Sequence, residues 1–305
     1  MTKGNIIKMN QPERRIHQQE VHRFLQKSFS IRDWTFTLPP GSGMETYFVH
    51  GDQQSYFVKV GVATERYLVM AESGLTPPVV AFGQLESDSS IIVQSYVAGR
   101  TPSRTDFQHE WQRVAALVST MHHDPRLISI LRSSSSNSHK ESGLRAMNRL
   151  RQKWERSQTH VPEVAPFVDK SLDELERQIH RFSTEGLVAS HNDICSANWL
   201  FASNGNIYVL DFESMSMDDP AFDLGALLLW YYPPRLRQPF LETAGYLYDL
   251  EFRLRMQVRM ALHCLSITLP REGSFDRFDS SRYAEALTDF RAILEGRENP
   301  QGYMA

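Results

Sequence analysis

Two short segments in the second half of the chain contain the residues best suited to catalysis. The first is the run from Ser190 to Asn198, in which Asp193 stands five positions before Asn198. On an irregular loop, this spacing can offer a carboxylate and an amide oxygen. Phosphoryl transfer needs both kinds of group, because a carboxylate must orient the attacking hydroxyl and accept its proton while Mg²⁺ requires hard oxygen ligands.

The second segment ends in another acidic residue. Residues 200–202, 203–206 and 207–211 have the pattern of strand, turn and strand, so the hairpin is expected to return Asp211 to the loop that carries Asp193. Either segment alone is more typical of a loop whose Asp and Asn side chains cap the backbone. The two segments together, with a hairpin of suitable length, favour the catalytic interpretation.

The motifs in this region resemble those of one known family. His191, Asp193 and Asn198 fit a His-x-Asp loop with Asn five positions after the Asp, residues 211–213 fit an Asp-aromatic-Glu metal motif, and residues 219–224 fit the Asp-Pro-x-x-Asp-Leu element that follows it. The combination resembles the catalytic core of aminoglycoside phosphotransferases, choline and ethanolamine kinases and, more remotely, protein kinases. The resemblance implies an α+β, two-lobed protein-kinase-like fold, with a small antiparallel-sheet N-lobe and a larger, mainly helical C-lobe.

The same resemblance implies a role for each residue of the motifs. Asp193 is expected to be the catalytic base, and His191 is expected to brace its loop. Asn198 and Asp211 are expected to bind Mg²⁺, while Glu213 either reaches a second metal ion or has a surface or structural role. The implied reaction moves the γ-phosphate of ATP to a hydroxyl of a small molecule.

Two other residues of the region have alternative roles. Asp223 is expected to cap a buried helix that begins at Leu224, either as its only role or together with hydrogen bonds to the catalytic loop. Cys195 stands where relatives often carry a basic residue or His. A neutral thiol cannot neutralise phosphate charge, so we expect Cys195 to be neither a phosphate ligand nor a nucleophile.

A lysine in the first third of the chain is the candidate for phosphate binding. Lys59 lies in the apolar strand 56–60, where an ammonium is costly to bury without partners. Glu65 opens the next predicted helix and resembles the helix glutamate that pairs with the strand lysine in this family. We therefore predict a Lys59–Glu65 ion pair that positions the α- and β-phosphates of ATP. The alternatives are Glu72 as the partner, or a lysine on the solvated face of the strand.

Two further nucleotide contacts follow from the resemblance. The turn that contains Gly41, Ser42 and Gly43 is expected to lie over the phosphates, between the first two strands. Gln94 and Tyr96 fall in the segment expected to be the hinge, where backbone groups would hydrogen-bond adenine.

The elements predicted around these residues fall into two regions. The predicted strands cover 34–38, 46–49, 56–60, 91–97, 187–189 and 207–210, and the predicted helices cover 11–29, 65–73, 107–122, 144–154, 168–182 and most of 221–294. We therefore divide the chain into a nucleotide-binding N-lobe, residues 1–97, and a C-lobe, residues 98–305, with the catalytic loop and the acceptor site. A cleft between two lobes is a common ligand site.

Composition restricts the class of protein. The 305-residue chain has a formal net charge of -3 and no Lys/Arg run, so a nucleic-acid partner is not expected. Its two cysteines imply no disulfide framework and favour the cytoplasm. No apolar stretch approaches the roughly 18 residues that a membrane span needs, so no membrane partner is expected. No oligomeric state can be inferred from the sequence.

The acceptor is left open by the sequence. A choline-like amino alcohol, an aminoglycoside or another metabolite all fit the motifs. Residues 230–232, Trp-Tyr-Tyr, could face a quaternary ammonium through cation–π contacts or could be ordinary helix-packing residues. A different class is a non-catalytic kinase-like nucleotide-binding protein, against which the presence of Lys59, Asp193, Asn198 and Asp211 argues.

Overall fold

The computed structural model describes most of the chain, which forms two compact units. The described residues are 11–31, 33–39, 46–52, 54–132, 138–183, 186–270 and 279–297. The first unit comprises Met1–Thr101 and Trp199–Glu213, and the second comprises Pro102–Asn198 and Ser214–Ala305. The hairpin that leads to Asp211 therefore belongs to the first unit, whereas our division at residue 97 assigned it to the C-lobe.

The first unit is built on a five-stranded antiparallel sheet. Its elements are α1 (Gln11–Ser28), β1 (Thr35–Thr37), β2 (Thr46–Gly51), β3 (Gln54–Val60), α2 (Thr64–Glu72), β4 (Val79–Gln84) and β5 (Ser90–Ser95). The strand order is β1-β2-β3-β5-β4, and each pair of neighbours is antiparallel. Strand β3 is thus central, with a hydrogen-bonded partner on each side.

Alternation along β3 decides which face of the sheet Lys59 occupies. Val58 and Val60 point to one face, where they join residues of α1 in a buried apolar cluster. Lys59 therefore projects from the opposite face, in register with Thr46 on β2 and Ile92 on β5. Only 6% of the residue is exposed, so its charge requires partners within the protein.

A second sheet of the first unit contains the predicted hairpin. Its strands are β6 (Gly99–Arg100), β8 (Trp199–Ala202) and β9 (Ile207–Val209), in the antiparallel order β6-β8-β9. Gly205 has a φ of 86° in the turn between β8 and β9, a conformation that glycine adopts without strain. The predicted strand–turn–strand is confirmed, and it ends two residues before Asp211.

The second unit is mainly helical. Its helices are α3 (Arg104–His109), α4 (Trp111–His123), α5 (Pro125–Leu131), α6 (His139–Ser157), α7 (Ala165–Ile179), α8 (Pro220–Tyr231), α9 (Pro234–Thr243), α10 (Leu250–Thr268) and α11 (Ser280–Leu294). Helix α8 is apolar on almost every side and packs against α10, which also packs against α11. Two short strands, β7 (Val188–Ser190) and β10 (Ser216–Asp218), pair antiparallel and fix the chain immediately before His191.

The predicted α+β fold, with an antiparallel-sheet region and a helical region, is confirmed, while some elements differ. Strand β4 was not predicted, because it directly follows Pro77 and Pro78, which interrupt the strand pattern. The helix predicted over 107–122 begins earlier, where Ser103 caps α3, and it is interrupted at Glu110. Among the described residues, no helix combines the length and apolar character required to cross a membrane.

Candidate active site

Lys59 is held by three oxygen atoms of the first unit. Its ammonium Nζ lies 2.7 Å from Asp211 Oδ1, 2.9 Å from Glu213 Oε1 and 2.8 Å from the hydroxyl of Tyr67. The Tyr67 hydroxyl donates in turn to Glu213 Oε1 at 2.7 Å. An ammonium has three donors, so these contacts use all of them. The alternative of a lysine on a solvated face is therefore wrong.

The predicted ion pair between Lys59 and Glu65 is not formed, and Glu72 does not contact the lysine either. Glu65 is exposed in the first turn of α2 and has no ion pair with a described residue. Tyr67 and Met70, about one turn apart, form the buried face of α2. Because successive residues turn by about 100° around a helix, Glu65 points roughly 200° away from Tyr67. Helix phase thus directs Tyr67, and not Glu65, to the lysine.

A second residue of α2 contacts the same segment. Arg66 donates from Nη1 to the backbone carbonyl of Phe212 at 2.6 Å, and the Tyr67 ring packs on the Phe212 ring with centroids 4.9 Å apart. Burial, followed by the negative charge of Glu213, raises the pKa of Tyr67 well above its usual value. The phenol therefore keeps its proton at neutral pH and can donate to the Glu213 carboxylate.

The carboxylates beside Lys59 have the properties of Mg²⁺ ligands. Asp211 has a φ of 65°, a left-handed conformation that is uncommon outside glycine and often found at functional sites. Its side chain is half exposed, while Glu213 Oε2 is buried and receives no hydrogen bond from the described residues. Mg²⁺ is usually bound by one or two carboxylates together with substrate phosphates. The described part of the chain contains no cluster of three or more His, Cys, Asp or Glu residues that could hold a metal ion by themselves.

The residues predicted to contact adenine have partners within the first unit. The Gln94 side-chain amide donates to Pro77 O at 2.8 Å, and the Tyr96 N–H donates to Ser55 O at 3.1 Å. The next residue, Val97, forms no backbone hydrogen bond with any described residue. The expected adenine contacts of the segment that contains Gln94 and Tyr96 stay predictions. The predicted phosphate turn, Gly41, Ser42 and Gly43, lies outside the described residues.

In the second unit, the loop after β7 places Asp193 at the surface. The Asn198 side chain donates from Nδ2 to Asp193 O at 2.6 Å, and the Asp193 N–H donates to His191 Nδ1 at 3.3 Å. Both neighbours therefore hold the backbone of Asp193, whose side chain is exposed to solvent. The Asn198 amide oxygen accepts no hydrogen bond from the described residues, and its role as a metal ligand stays a prediction.

A buried carboxylate organises the same loop. Asp223 accepts from the backbone N–H of His191 at 2.7 Å and from that of Asn192 at 2.9 Å. Its Oδ2 also lies 3.1 Å from His122 Nε2, and His122 Nδ1 lies 2.7 Å from the Tyr246 hydroxyl. Burial opposes ionisation of Asp223, but the hydrogen bonds and charges of His122 and His191 outweigh it and lower its pKa below the usual value. Asp223 is therefore ionised and accepts three hydrogen bonds.

The cap of α8 differs from the predicted one. Asp219 caps the helix by accepting from Ala221 N at 2.9 Å, so the prediction of a helix that begins at Leu224 with Asp223 as its cap is wrong. The additional role, hydrogen bonding to the catalytic loop, is confirmed. His122 was not identified from the sequence. A polar residue on the buried face of the predicted helix 107–122 was the signal that could have identified it.

Asn192 contributes a strained backbone conformation to the loop. Its φ is 63°, which Asn tolerates better than most residues. The side-chain Nδ2 donates to Ser216 Oγ at 2.9 Å and to Ser214 O at 3.1 Å. Strand β10 and the backbone contacts to Asp223 thus hold Asn192 in this conformation, directly before Asp193.

Cys195 has the properties of an inert thiol. Burial, followed by the negative charge of Asp193, raises the pKa of Cys195 above its usual value. The thiol is therefore protonated at neutral pH, whereas a nucleophilic cysteine must be a thiolate. The raised pKa agrees with the expectation that Cys195 is not a nucleophile.

The aromatic run over residues 230–232 lies in the interior of the second unit. Trp230 packs against His263 with ring centroids 5.3 Å apart, and Tyr232 packs against Phe240 at 4.9 Å. The Tyr231 hydroxyl accepts from Ser196 N at 3.0 Å. All three side chains are buried, which favours the helix-packing alternative over a cation-binding surface.

The sheet-based unit, the helical unit and the two motif segments define the class as a protein-kinase-like phosphotransferase fold. Residues 37–256, well over half of the chain, match the model of the APH family, described as a phosphotransferase enzyme family. This chain therefore belongs to that family, as the resemblance in its motifs predicted.

Solved structures with the same fold cover nearly the whole chain. The spectinomycin phosphotransferase APH(9)-Ia, in complex with ADP and spectinomycin, is 14% identical, with a TM-score of 0.63, covering 91% of this chain and 93% of its own. The choline kinase LicA from Streptococcus pneumoniae is 16% identical, with a TM-score of 0.56. The alignment covers 92% of this chain and 99% of the LicA chain. A mutant of APH(4)-Ia, in complex with ADP and hygromycin B, is 18% identical, with a TM-score of 0.63 and coverages of 93% and 99%.

Proposed function

We propose that this protein transfers the γ-phosphate of ATP to a hydroxyl of a small molecule in an Mg²⁺-dependent reaction. The observation that carries the proposal is the ion cluster of Lys59, Asp211 and Glu213. It combines a cation suited to phosphate oxygens with two carboxylates suited to a divalent metal. Membership of a phosphotransferase family supports the same reaction class.

The residues of the first unit would bind the nucleotide. Lys59 is proposed to contact the α- and β-phosphates, and Asp211 and Glu213 are proposed to hold Mg²⁺. Asn198, which belongs to the second unit, is proposed as a further Mg²⁺ ligand. When bound, Mg²⁺ would neutralise charge on the phosphates during transfer. The Glu213 oxygen without a hydrogen bond supports this assignment, because a buried acceptor without a partner is costly. We also propose, from the family resemblance alone, that the turn with Gly41, Ser42 and Gly43 contacts the phosphates.

The residues of the second unit would act on the acceptor. Asp193 is proposed to orient the acceptor hydroxyl and to accept its proton, while His191 braces the loop through its contact with the Asp193 N–H. The exposed carboxylate and the firmly held backbone support this role, because a catalytic base needs both access and a fixed orientation. The proposed acceptor is a choline-like amino alcohol, an aminoglycoside or a related metabolite of the cytoplasm.

A two-stage experiment tests this function. First, thermal unfolding is measured with ATP or GTP at millimolar concentration, each with and without Mg²⁺. A nucleotide at about a hundred times its dissociation constant should add roughly 2.7 kcal/mol to the free energy of unfolding. Second, ATP consumption is measured with pooled hydroxyl acceptors that include choline, ethanolamine, spectinomycin and hygromycin B.

The two stages separate the enzyme from a binding protein. Mg²⁺-assisted binding with acceptor-dependent ATP consumption that is lost in Asp193→Asn would support the proposal. Binding without consumption in any pool would favour a non-catalytic nucleotide-binding protein. Absence of any shift with both nucleotides would contradict the assignment of the ion cluster.

A further inference from the structure

The contacts of Lys59 differ in what a bound nucleotide and metal would do to them. Two of its three partners, Asp211 Oδ1 and Glu213 Oε1, are carboxylate oxygens. Under the proposed function, these carboxylates turn to Mg²⁺ and the lysine turns to phosphate oxygens. The third partner, the Tyr67 hydroxyl, is neutral and has no such competing ligand. It is therefore the contact of Lys59 that can persist in both the empty and the loaded protein.

The hydroxyl of Tyr67 is suited to this position by its hydrogen-bonding chemistry. An ammonium only donates and an ionised carboxylate only accepts, whereas a phenol can do both at once. Tyr67 accepts from Lys59 Nζ at 2.8 Å and donates to Glu213 Oε1 at 2.7 Å. One side chain thus orients a phosphate ligand and a metal ligand at the same time.

Helix α2 is anchored to the metal motif on both sides of this contact. The Tyr67 ring packs against Phe212, and Arg66 donates to the Phe212 carbonyl at 2.6 Å. These two neighbours in sequence hold the side chain and the backbone of the same residue. The acidic residue at the start of the helix, Glu65, is exposed and takes no part.

We propose that Tyr67 is the residue of α2 that positions Lys59 and Glu213 for the nucleotide, in place of the helix carboxylate that the sequence led us to expect. The inference rests on the proposed function, because it assigns Lys59 to phosphate and Glu213 to metal. Tyr67 acts through these two side chains and does not itself touch the reacting atoms.

The decisive variant is Tyr67→Phe, which removes the hydroxyl and keeps the ring that packs on Phe212. The affinity for a non-hydrolysable ATP analogue is measured by calorimetry with and without Mg²⁺ on the full-length protein. We expect the Mg²⁺-dependent affinity to fall by about tenfold to a hundredfold, as for the loss of one hydrogen bond to a charged group. The matched control is Tyr208→Phe. The Tyr208 hydroxyl accepts from Asn206 Nδ2 at 3.0 Å and contacts neither Lys59 nor Glu213, so the affinity of this variant for the analogue should change less than twofold.

A double-mutant cycle separates positioning from general damage to packing. In a Lys59→Met background, the same Tyr67→Phe change should lower the affinity by a clearly smaller factor than in the wild type, because one of the two partners of the hydroxyl is absent and only Glu213 remains. A full additional loss in that background would overturn the inference, as would wild-type affinity of the single variant. Once an acceptor is known, the effect should fall on KM for ATP and not on KM for the acceptor.

The remaining outcomes are also decisive. If Tyr67→Phe does not fold, Glu65→Gln tests the same assignment: wild-type affinity supports the inference, and a tenfold loss overturns it by returning the role to Glu65. If the wild-type protein binds no Mg²⁺–nucleotide, the proposed function fails and this inference fails with it. If the wild type binds and Tyr67→Phe binds equally well, only the inference fails.

Discussion

The two units hold their candidate catalytic residues in different ways. In the first unit, Lys59 and the carboxylates contact one another directly, so the groups assigned to chemistry are also each other's partners. In the second unit, Asp193 is exposed, and its neighbours hold its backbone while buried Asp223 holds the backbone just before it. Under the proposed function, a nucleotide bound to the first unit would replace existing contacts, whereas an acceptor could approach the exposed Asp193 directly. Substitutions in the first unit should therefore change binding, and those in the second should change turnover or stability.

The sharpest test of this difference exchanges one carboxylate in each unit for an amide. Asp193→Asn keeps the shape of the side chain and should lower turnover by roughly 10²–10⁴, the usual range for a positioned acid or base, with nearly unchanged Mg²⁺–ATP affinity. Asp211→Asn should abolish turnover and also weaken the Mg²⁺ dependence of ATP binding. Titration of ATP into each variant, with and without Mg²⁺, measures both effects. If Asp193→Asn lost the metal-dependent binding and Asp211→Asn kept it, Asp193 would be the Mg²⁺ ligand and Asp211 the catalytic base, contrary to the proposal.

The support behind the loop can be tested through stability. The Asp223 carboxylate now accepts hydrogen bonds from N–H groups at both of its oxygens. In Asp223→Asn, the side-chain NH₂ would face at least one of these donors, and that hydrogen bond would be lost. Because hydrogen bonds to a buried charged group are lost, we expect the free energy of unfolding to fall by about 2–4 kcal/mol. Turnover should fall as well, because the loop that carries Asp193 loses its support.

Urea unfolding measures the change at Asp223 against a matched control. Asp249→Asn alters an exposed helix cap, where Asn serves nearly as well as Asp, so its cost should be below about 0.5 kcal/mol. Equal costs at the two positions would mean that Asp223 is not a special support of the loop.

The first unit should respond through nucleotide binding. Lys59→Met removes the ammonium and keeps most of the aliphatic side chain, so the sheet should remain intact. We expect KM for ATP to rise by about tenfold to a hundredfold, the effect of losing a charge-assisted contact, while KM for the acceptor changes little. Steady-state kinetics with each substrate varied in turn checks this split. Wild-type turnover and KM would mean that Lys59 does not contact the phosphates.

The smallest expected effect concerns the pH dependence of stability in the second unit. Burial, followed by the positive charges of Arg259 and Lys153, lowers the pKa of His263 to about 4. The unfolded chain binds this proton near pH 6.5. His263 therefore contributes stability that is fully present above about pH 6.5 and is lost as the pH falls towards 4.

A variant without this histidine isolates the contribution. Since His263 is partly accessible, we expect the free energy of unfolding of the wild type to fall by about 1 kcal/mol between pH 7 and pH 5. In His263→Gln, this fall should be smaller. Burial also lowers the pKa of His139, so this residue destabilises the fold at low pH in the same way. Some pH dependence of the free energy of unfolding should therefore remain in His263→Gln. Urea unfolding at the two pH values provides the measurement, and an unchanged slope in His263→Gln would refute the assignment.

The sequence by itself determined the local features of this protein. The strand pattern predicted β3 and identified Lys59 as a cation in an apolar strand, and the resemblance of the motifs around Asp193, Asn198 and Asp211 to those of a known family implied the family. These features depend on periodicity and on short motifs, which are properties of neighbouring residues in the chain.

Only the tertiary structure decided which side chains meet. Lys59 lies 152 residues from Asp211 in sequence, and its partner on α2 depends on the phase at which the helix packs, which selects Tyr67 over Glu65. His122 and Asp223 meet 101 residues apart for the same kind of reason. Burial also decided that Trp230 packs in the interior. A short stretch of sequence fixes the type and period of an element, but the direction in which its side chains find partners is fixed by packing against distant elements.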